Sequence, residues 1–106
     1  MAKNKVVGIH EEKLEQANVI MDVLAHELRL EIIHYLLEKG EAIVGDIYRH
    51  LDITQSMTSQ HLKELRDVNI LNVRAEHKHR FYSVNQERLQ EIQALIEEFF
   101  PSEKTA

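Results

Sequence analysis

A mainly α-helical fold carrying one small β-hairpin is what this sequence of 106 residues predicts, on three observations. Apolar residues recur at helical spacing over most of the chain, from Leu14 through Phe99. Only two longer runs read as strands, Leu71 to Ala75 and Arg80 to Val84, and they flank the polar stretch Glu76-His77-Lys78-His79. Three glycines, one proline and 43% apolar residues argue for an ordered domain rather than a linker or tail. The predicted order is α-α-(short β)-α-α-β-β-α, a winged helix-turn-helix with the hairpin as its wing.

Each element has its own signal. Residues 1–10 carry Lys3 and Lys5 without periodicity and read as a flexible arm. A single domain over 11–100 follows, and 101–106 read as a frayed tail. The first helix, Glu11 to Leu24, shows Leu14, Ala17, Met21 and Leu24 at spacings of a coiled-coil seam. The second runs from about Glu27 to Glu38, with Leu30, Ile33, Leu36 and Leu37 expected inward and Gly40 closing it. Glu41-Ala42-Ile43 is a short strand expected to pair with the wing. Val44 to Leu51 puts Val44, Ile47, Tyr48 and Leu51 on one face, and the link Asp52-Ile53-Thr54 leads into the next helix. Asp tolerates the left-handed corner that such a link needs, and Asn69 suits the same conformation after that helix. The last helix, Gln86 to about Phe99, aligns Leu89, Ile92, Leu95, Ile96 and Phe99 before Pro101 stops it.

The chemistry concentrates in Thr54 to Asp67, TQSMTSQHLKELRD. Thr54 can cap the helix, and Leu62 and Leu65 face a core with Thr58 one turn earlier. The outer face carries Gln55, Ser56, Ser59, Gln60 and Lys63. Such amides and hydroxyls donate and accept hydrogen bonds at base edges in a major groove, whereas a merely soluble helix usually shows Glu and Lys there. The plain alternative is a polar surface helix. The formal net charge of −5 speaks against nucleic acid, yet its distribution is uneven. Thr54 to Tyr82 holds five Lys and Arg against three carboxylates, while Glu11, Glu12, Glu15, Glu87, Glu91, Glu97 and Glu98 load the flanks. A locally basic reader on an acidic body is compatible with salt-sensitive binding.

Three pieces, HELRLEIIHYLL, GDIYRHLDITQSMTSQHLKELRDVNIL and VRAEHKHRFYSV, together resemble the ArsR family of bacterial winged-helix repressors over roughly residues 22–85. The most specific parts are Arg29-Leu30, the run Ser59 to Arg66, and Arg80-Phe81-Tyr82. The sequence departs from the family pattern at Asp52 and Asn69, which stand where Gly is frequent, at Thr58, usually aliphatic, and in a wing tip without Gly. The resemblance implies a homodimer joined through its terminal helices, binding a pseudo-palindromic operator in double-stranded DNA. It places the interface on Leu14, Ala17, Met21, Leu24, Leu89, Ile92, Ile96 and Phe99. The alternative is that these residues only cap the monomer core. Gln55, Ser56, Ser59 and Gln60 are then expected at bases. Thr54, His61, Lys63, Arg74, His77, Lys78, His79 and Arg80 are expected at the DNA backbone.

Other chemistries find less support. The sequence holds no Gly-rich phosphate loop, no G-x-S-x-G and no H-E-x-x-H, so no catalytic residues are assigned. Without cysteine there are no disulfides and no thiolate ligands. The Cys-x-Cys of metal-sensing relatives falls on Ile43 and Gly45, and the last helix contains no histidine, so no metal and no cofactor is expected. Seven histidines keep a metal-responsive repressor with unconventional His/Glu ligands open, with His77 and His79 as one half-site. His26 and His34 are possible titrating groups. No run reaches the roughly eighteen apolar residues of a membrane span, and a cytoplasmic location is expected. The alternative from another class is a winged-helix protein-interaction module without DNA binding, which the acidic charge favours.

Overall fold

The structure, a computed structural model, describes residues 11–101. The arm expected over 1–10, and the tail beyond Pro101, lie outside the described residues. The predicted order is present: α1 (Glu11–Leu24), α2 (Glu27–Lys39), β1 (Ala42–Ile43), α3 (Val44–Leu51), α4 (Gln55–Asp67), β2 (Leu71–Glu76), β3 (His79–Val84) and α5 (Gln86–Phe99).

Local chemistry sets the boundaries. The Thr54 hydroxyl oxygen accepts from the Met57 N–H at 3.1 Å, which satisfies one of the unpaired amides opening α4. Asn85 does the same for α5, its side-chain oxygen accepting from the Arg88 N–H at 3.1 Å. Gly40 closes α2 with a φ of 86°. Asp52 ends α3 in the left-handed region (φ 56°, ψ 46°), and Asn69 takes a φ of 64° after α4. Both residues adopt the backbone that Gly would supply, because their short polar side chains tolerate it.

The three strands form one antiparallel sheet in the order β1-β3-β2. Ala42 pairs with Tyr82 and Ile43 with Phe81, so the strand expected before α3 does close on the wing. In the hairpin, Leu71 lies opposite Val84 and Glu76 opposite His79. The turn is therefore the two residues His77-Lys78, tighter than the four-residue tip the sequence suggests. His77 holds a φ of 57° there, a conformation that two-residue hairpins usually give to Gly or Asn.

One core joins all the helices to the sheet. Ile20 and Val23 of α1, Ile32, Ile33 and Leu36 of α2, Ile47 of α3, and Leu62 and Leu65 of α4 meet Ile70, Tyr82 and Ile92. Two helices present a face rotated from the expected one. In α1 the inward residues are Ala17, Ile20 and Val23, while Leu14, Met21 and Leu24 lie half-buried beside them. In α2, Ile32 is fully buried, whereas Leu30 and Leu37 are 50% and 47% exposed. Apolar residues occur almost all round α2, so periodicity offers two stripes and tertiary packing selects one. Ala17 and Ile92, assigned above to a dimer interface, are buried within the single chain at 0% and 3% exposure. The monomer core accounts for both.

The left-handed corner between α3 and α4 yields a test. Asp52→Val should lose about 1–2 kcal/mol in denaturant titration, since a β-branched side chain clashes at positive φ, while Asp52→Gly should stay close to wild type. Equal stability of the Val and Gly variants would contradict the left-handed assignment.

Candidate nucleic-acid interface

Helix α4 divides its residues between core and solvent. Thr58, His61, Leu62 and Leu65 are buried, and Gln55, Ser56, Ser59, Gln60 and Lys63 are exposed. The unusual Thr58 fits because its buried hydroxyl donates to the Thr54 carbonyl at 3.0 Å, leaving no polar atom unsatisfied. Thr54 acts first as the helix cap, and its hydroxyl proton stays available to an outside acceptor. Two outward residues have intrahelical partners: Gln60 donates to Glu64 at 3.2 Å, and Lys63 to Asp67 at 2.9 Å. The Asp67 carboxylate holds the Lys63 ammonium above its ordinary pKa, so that cation stays charged.

His61 does not lie where the backbone-contact assignment put it. It is 8% exposed and turned toward α2, where its Nδ1 accepts from the Arg29 Nε–H at 3.2 Å. Its ring stands edge-on to His26, with centroids 4.5 Å apart. Burial, then the neighbouring His26 and Arg29, push the imidazole below its ordinary pKa against the pull of Glu64. His61 anchors the reader helix and is removed from the phosphate set. His26 and His34 are themselves exposed, the latter 3.9 Å from Glu38.

Two outward residues of α4 and the wing converge on one cleft of about 420 Å³. Gln55 and Ser59 form one wall; Lys78, His79 and Arg80 form the other. Arg49 of α3 joins them, a residue that sequence reasoning missed. A Cβ on Gly45 would lie 3.2 Å from the Arg49 guanidinium, a closeness that only the folded chain shows. Arg49 also pairs with Asp46 at 3.2 Å and lies over the Tyr48 ring. His79 packs edge-on against Phe81, whereas His77 sits in the turn, so the two histidines do not share a strand face as the half-site idea required. No group of three His, Cys, Asp or Glu side chains suited to a metal ion occurs among the described residues.

Arg74, expected at the DNA backbone, has partners within the chain. Its guanidinium donates to both oxygens of Glu41, at 2.7 and 3.1 Å, and also to Glu76. It lies 4.5 Å over the Phe81 ring, on the central strand directly opposite. Arg74 thus spans β2, β3 and the residue preceding β1. The hydrogen bond from Arg74 holds the Glu41 carboxyl below the usual carboxylate range. This cation braces the wing.

A capped helix with an uncharged polar outer face, beside a hairpin whose tip is cationic, defines the class: a winged helix-turn-helix of the kind that binds DNA. Comparison with known proteins makes this specific. Residues 26–73 match the family described as "Bacterial regulatory protein, arsR family". The chain is 36% identical over 87 residues to the transcriptional activator HlyU of Vibrio cholerae, spanning 82% of this chain and 77% of that one. It is 30% identical over 96 residues to the arsenical resistance operon repressor of Bacillus subtilis, spanning 91% and 82%. The solved structure of reduced HlyU from Vibrio cholerae superposes with a TM-score of 0.67 at 32% identity, over 87% of this chain and 96% of that one. The chain belongs to the ArsR family and is a DNA-binding winged-helix transcriptional regulator.

If Arg74 braces the wing, Arg74→Ala should speed amide hydrogen exchange in Ala75 to Arg80 at least severalfold while α4 exchanges as before. Unchanged exchange at the tip would mean that strand pairing alone holds it.

Proposed function

We propose that this regulator is a cytoplasmic homodimeric repressor that occludes a promoter by binding a pseudo-palindromic operator. The observation that carries the reading is the convergence of Gln55 and Ser59 with Lys78 and Arg80 on one cleft. With Ser56 and Gln60 on the same exposed helix, the reader offers uncharged donors and acceptors to base edges. Lys78, Arg80, His77 and His79 supply cationic or polar contacts to the flanking backbone, together with Lys63, Arg49 and the Thr54 hydroxyl. An inducing signal would act by altering the spacing of the two reader helices.

The decisive experiment is selection of bound sequences from random duplex DNA, followed by two substitutions of opposite kind. Gln55→Ala should lose about 1–3 kcal/mol on the selected site and little on random DNA. Lys78→Ala should weaken both alike and flatten the slope of log affinity against log salt by about one unit. No enriched sequence, or binding indifferent to salt, would instead favour the protein-interaction module that the overall negative charge suggests.

For the dimer, the support is the set of large apolar side chains left half-buried on α1 and α5: Leu14, Met21, Leu24, Leu89, Ile96 and Phe99. These helices pack together with Lys13 near Glu98 at 3.6 Å, and a second copy would cover their outer flanks. Two such protomers would set the reader helices roughly 34–36 Å apart. Met21→Glu and Ile96→Glu should keep the wild-type circular dichroism, size as monomers by light scattering and lose operator affinity. Ile92→Glu should instead unfold the chain, because it buries a charge in the monomer core. A wild-type chain that sizes as a monomer at micromolar concentration would end the dimer reading.

A further inference from the structure

Arg29, near the start of α2, forks between two other helices. Its Nη1 donates to the Val23 carbonyl in the last turn of α1 at 3.3 Å, and its Nε donates to Nδ1 of His61 in α4 at 3.2 Å. α1 carries half of the proposed dimer face and α4 reads DNA, so this guanidinium links subunit contact to reader orientation. The link has a chemical condition. Nδ1 accepts a hydrogen bond only from an unprotonated nitrogen, so the imidazole must be neutral, with its proton on Nε2. The groups acting on His61 are Arg29 of α2, His26 just before α2, and Glu64 of its own helix. A proton added to this ring would leave the Arg29 N–H without its acceptor and set one cation beside another.

We propose that Arg29 positions the reader helix through a neutral His61, and that proton uptake by His61 in mild acid releases specific DNA. The inference rests on the DNA-binding reading above and names a regulatory input for that same site. The direction of the effect follows from the environment of the ring. Burial first, then His26 and Arg29, hold its pKa below the ordinary 6.5, so an unfolded or loosened chain takes the proton before the folded one. The tie therefore contributes fully above 6.5 and is lost as pH falls through the depressed value. The window lies on the acid side of neutrality.

The test measures affinity for a selected duplex relative to a random one from about pH 7.5 to about 5.5. His77 and His79 of the wing act on phosphates of both duplexes, so their contribution cancels in the ratio. For the wild type the ratio should fall about tenfold for each pH unit below the His61 pKa. His61→Asn keeps an acceptor where Nδ1 stands and cannot take the proton, so its ratio should remain near the wild-type neutral value throughout. Arg29→Gln, which lacks the fork, should show a low ratio already at pH 7.5 and little further change. A wild-type ratio that stays flat, or an equal fall in His61→Asn, overturns the proposal. Should His61→Asn fail to fold by circular dichroism, the imidazole nitrogen signals of the wild type decide. A His61 still neutral where specific binding is lost overturns it; protonation in step with that loss upholds it. Failure of the DNA-binding reading is distinguishable, because then no sequence is enriched even at pH 7.5.

Discussion

Everything on the recognition side depends on burying one face of a thirteen-residue helix. Helix α4 is too short to persist alone in water, since isolated helices of this length are marginal. Leu62 and Leu65, at 1% and 0% exposure, hold it against α2 and α3, and the internal bond of Thr58 lets one further inward position be polar. With its inner residues committed, the outer side is free to carry Gln, Ser and Lys, none of which adds to the core. The division also explains the place of His61. A residue one turn before Leu65 sits at the seam, where it is 8% exposed and ties the helix to α2.

The sheet solves a separate problem, which is to hold a hairpin that has little core beneath its tip. Beyond Leu71 and Tyr82 the strands run out into solvent, and Ala75 through Arg80 are all exposed. A two-stranded ribbon of this kind is marginal by itself. Two devices compensate: pairing of β3 with β1 on its far edge, and the Arg74 guanidinium laid across Phe81 onto Glu41. As an exposed ion pair the brace contributes modest energy, yet its bidentate geometry fixes direction. Orientation is what a wing requires.

Much of this was legible in the sequence, because the signals were local. The cap at Thr54, left-handed corners at Asp52 and Asn69, and strand runs around a polar tip all depend on neighbours within a few residues. The boundaries of α1, α3 and α5 follow directly from such cues. What the sequence concealed depends on contacts between distant segments. Arg74 reads as one more cation in a basic stretch until Glu41, thirty-three positions earlier, folds beside it. His61 reads as part of a polar helix until Arg29, thirty-two positions earlier, meets it. The choice of stripe on α1 and α2 is of the same kind, since helices with apolar residues on several sides do not declare which side faces inward. Ala17 is buried in the chain beside Ile20 and Val23 for that reason.

The distribution of charge has a consequence for how the molecule meets its target. α1 and α5, which pack on each other, carry eight of the eighteen carboxylates, and no residue of either helix lines the cleft that holds Arg49, Lys78 and Arg80. Negative charge is therefore dense on a surface apart from that cleft. Near a polyanion such a body turns before it touches: approaches that lead with the carboxylates are repelled, and those that lead with the wing proceed. Its net negative charge then acts as a filter on orientation and shortens the time spent on unproductive faces. The filter has a range of about one Debye length, roughly 10 Å at 0.1 M salt, so raising ionic strength should slow productive encounters as well as loosen bound complexes.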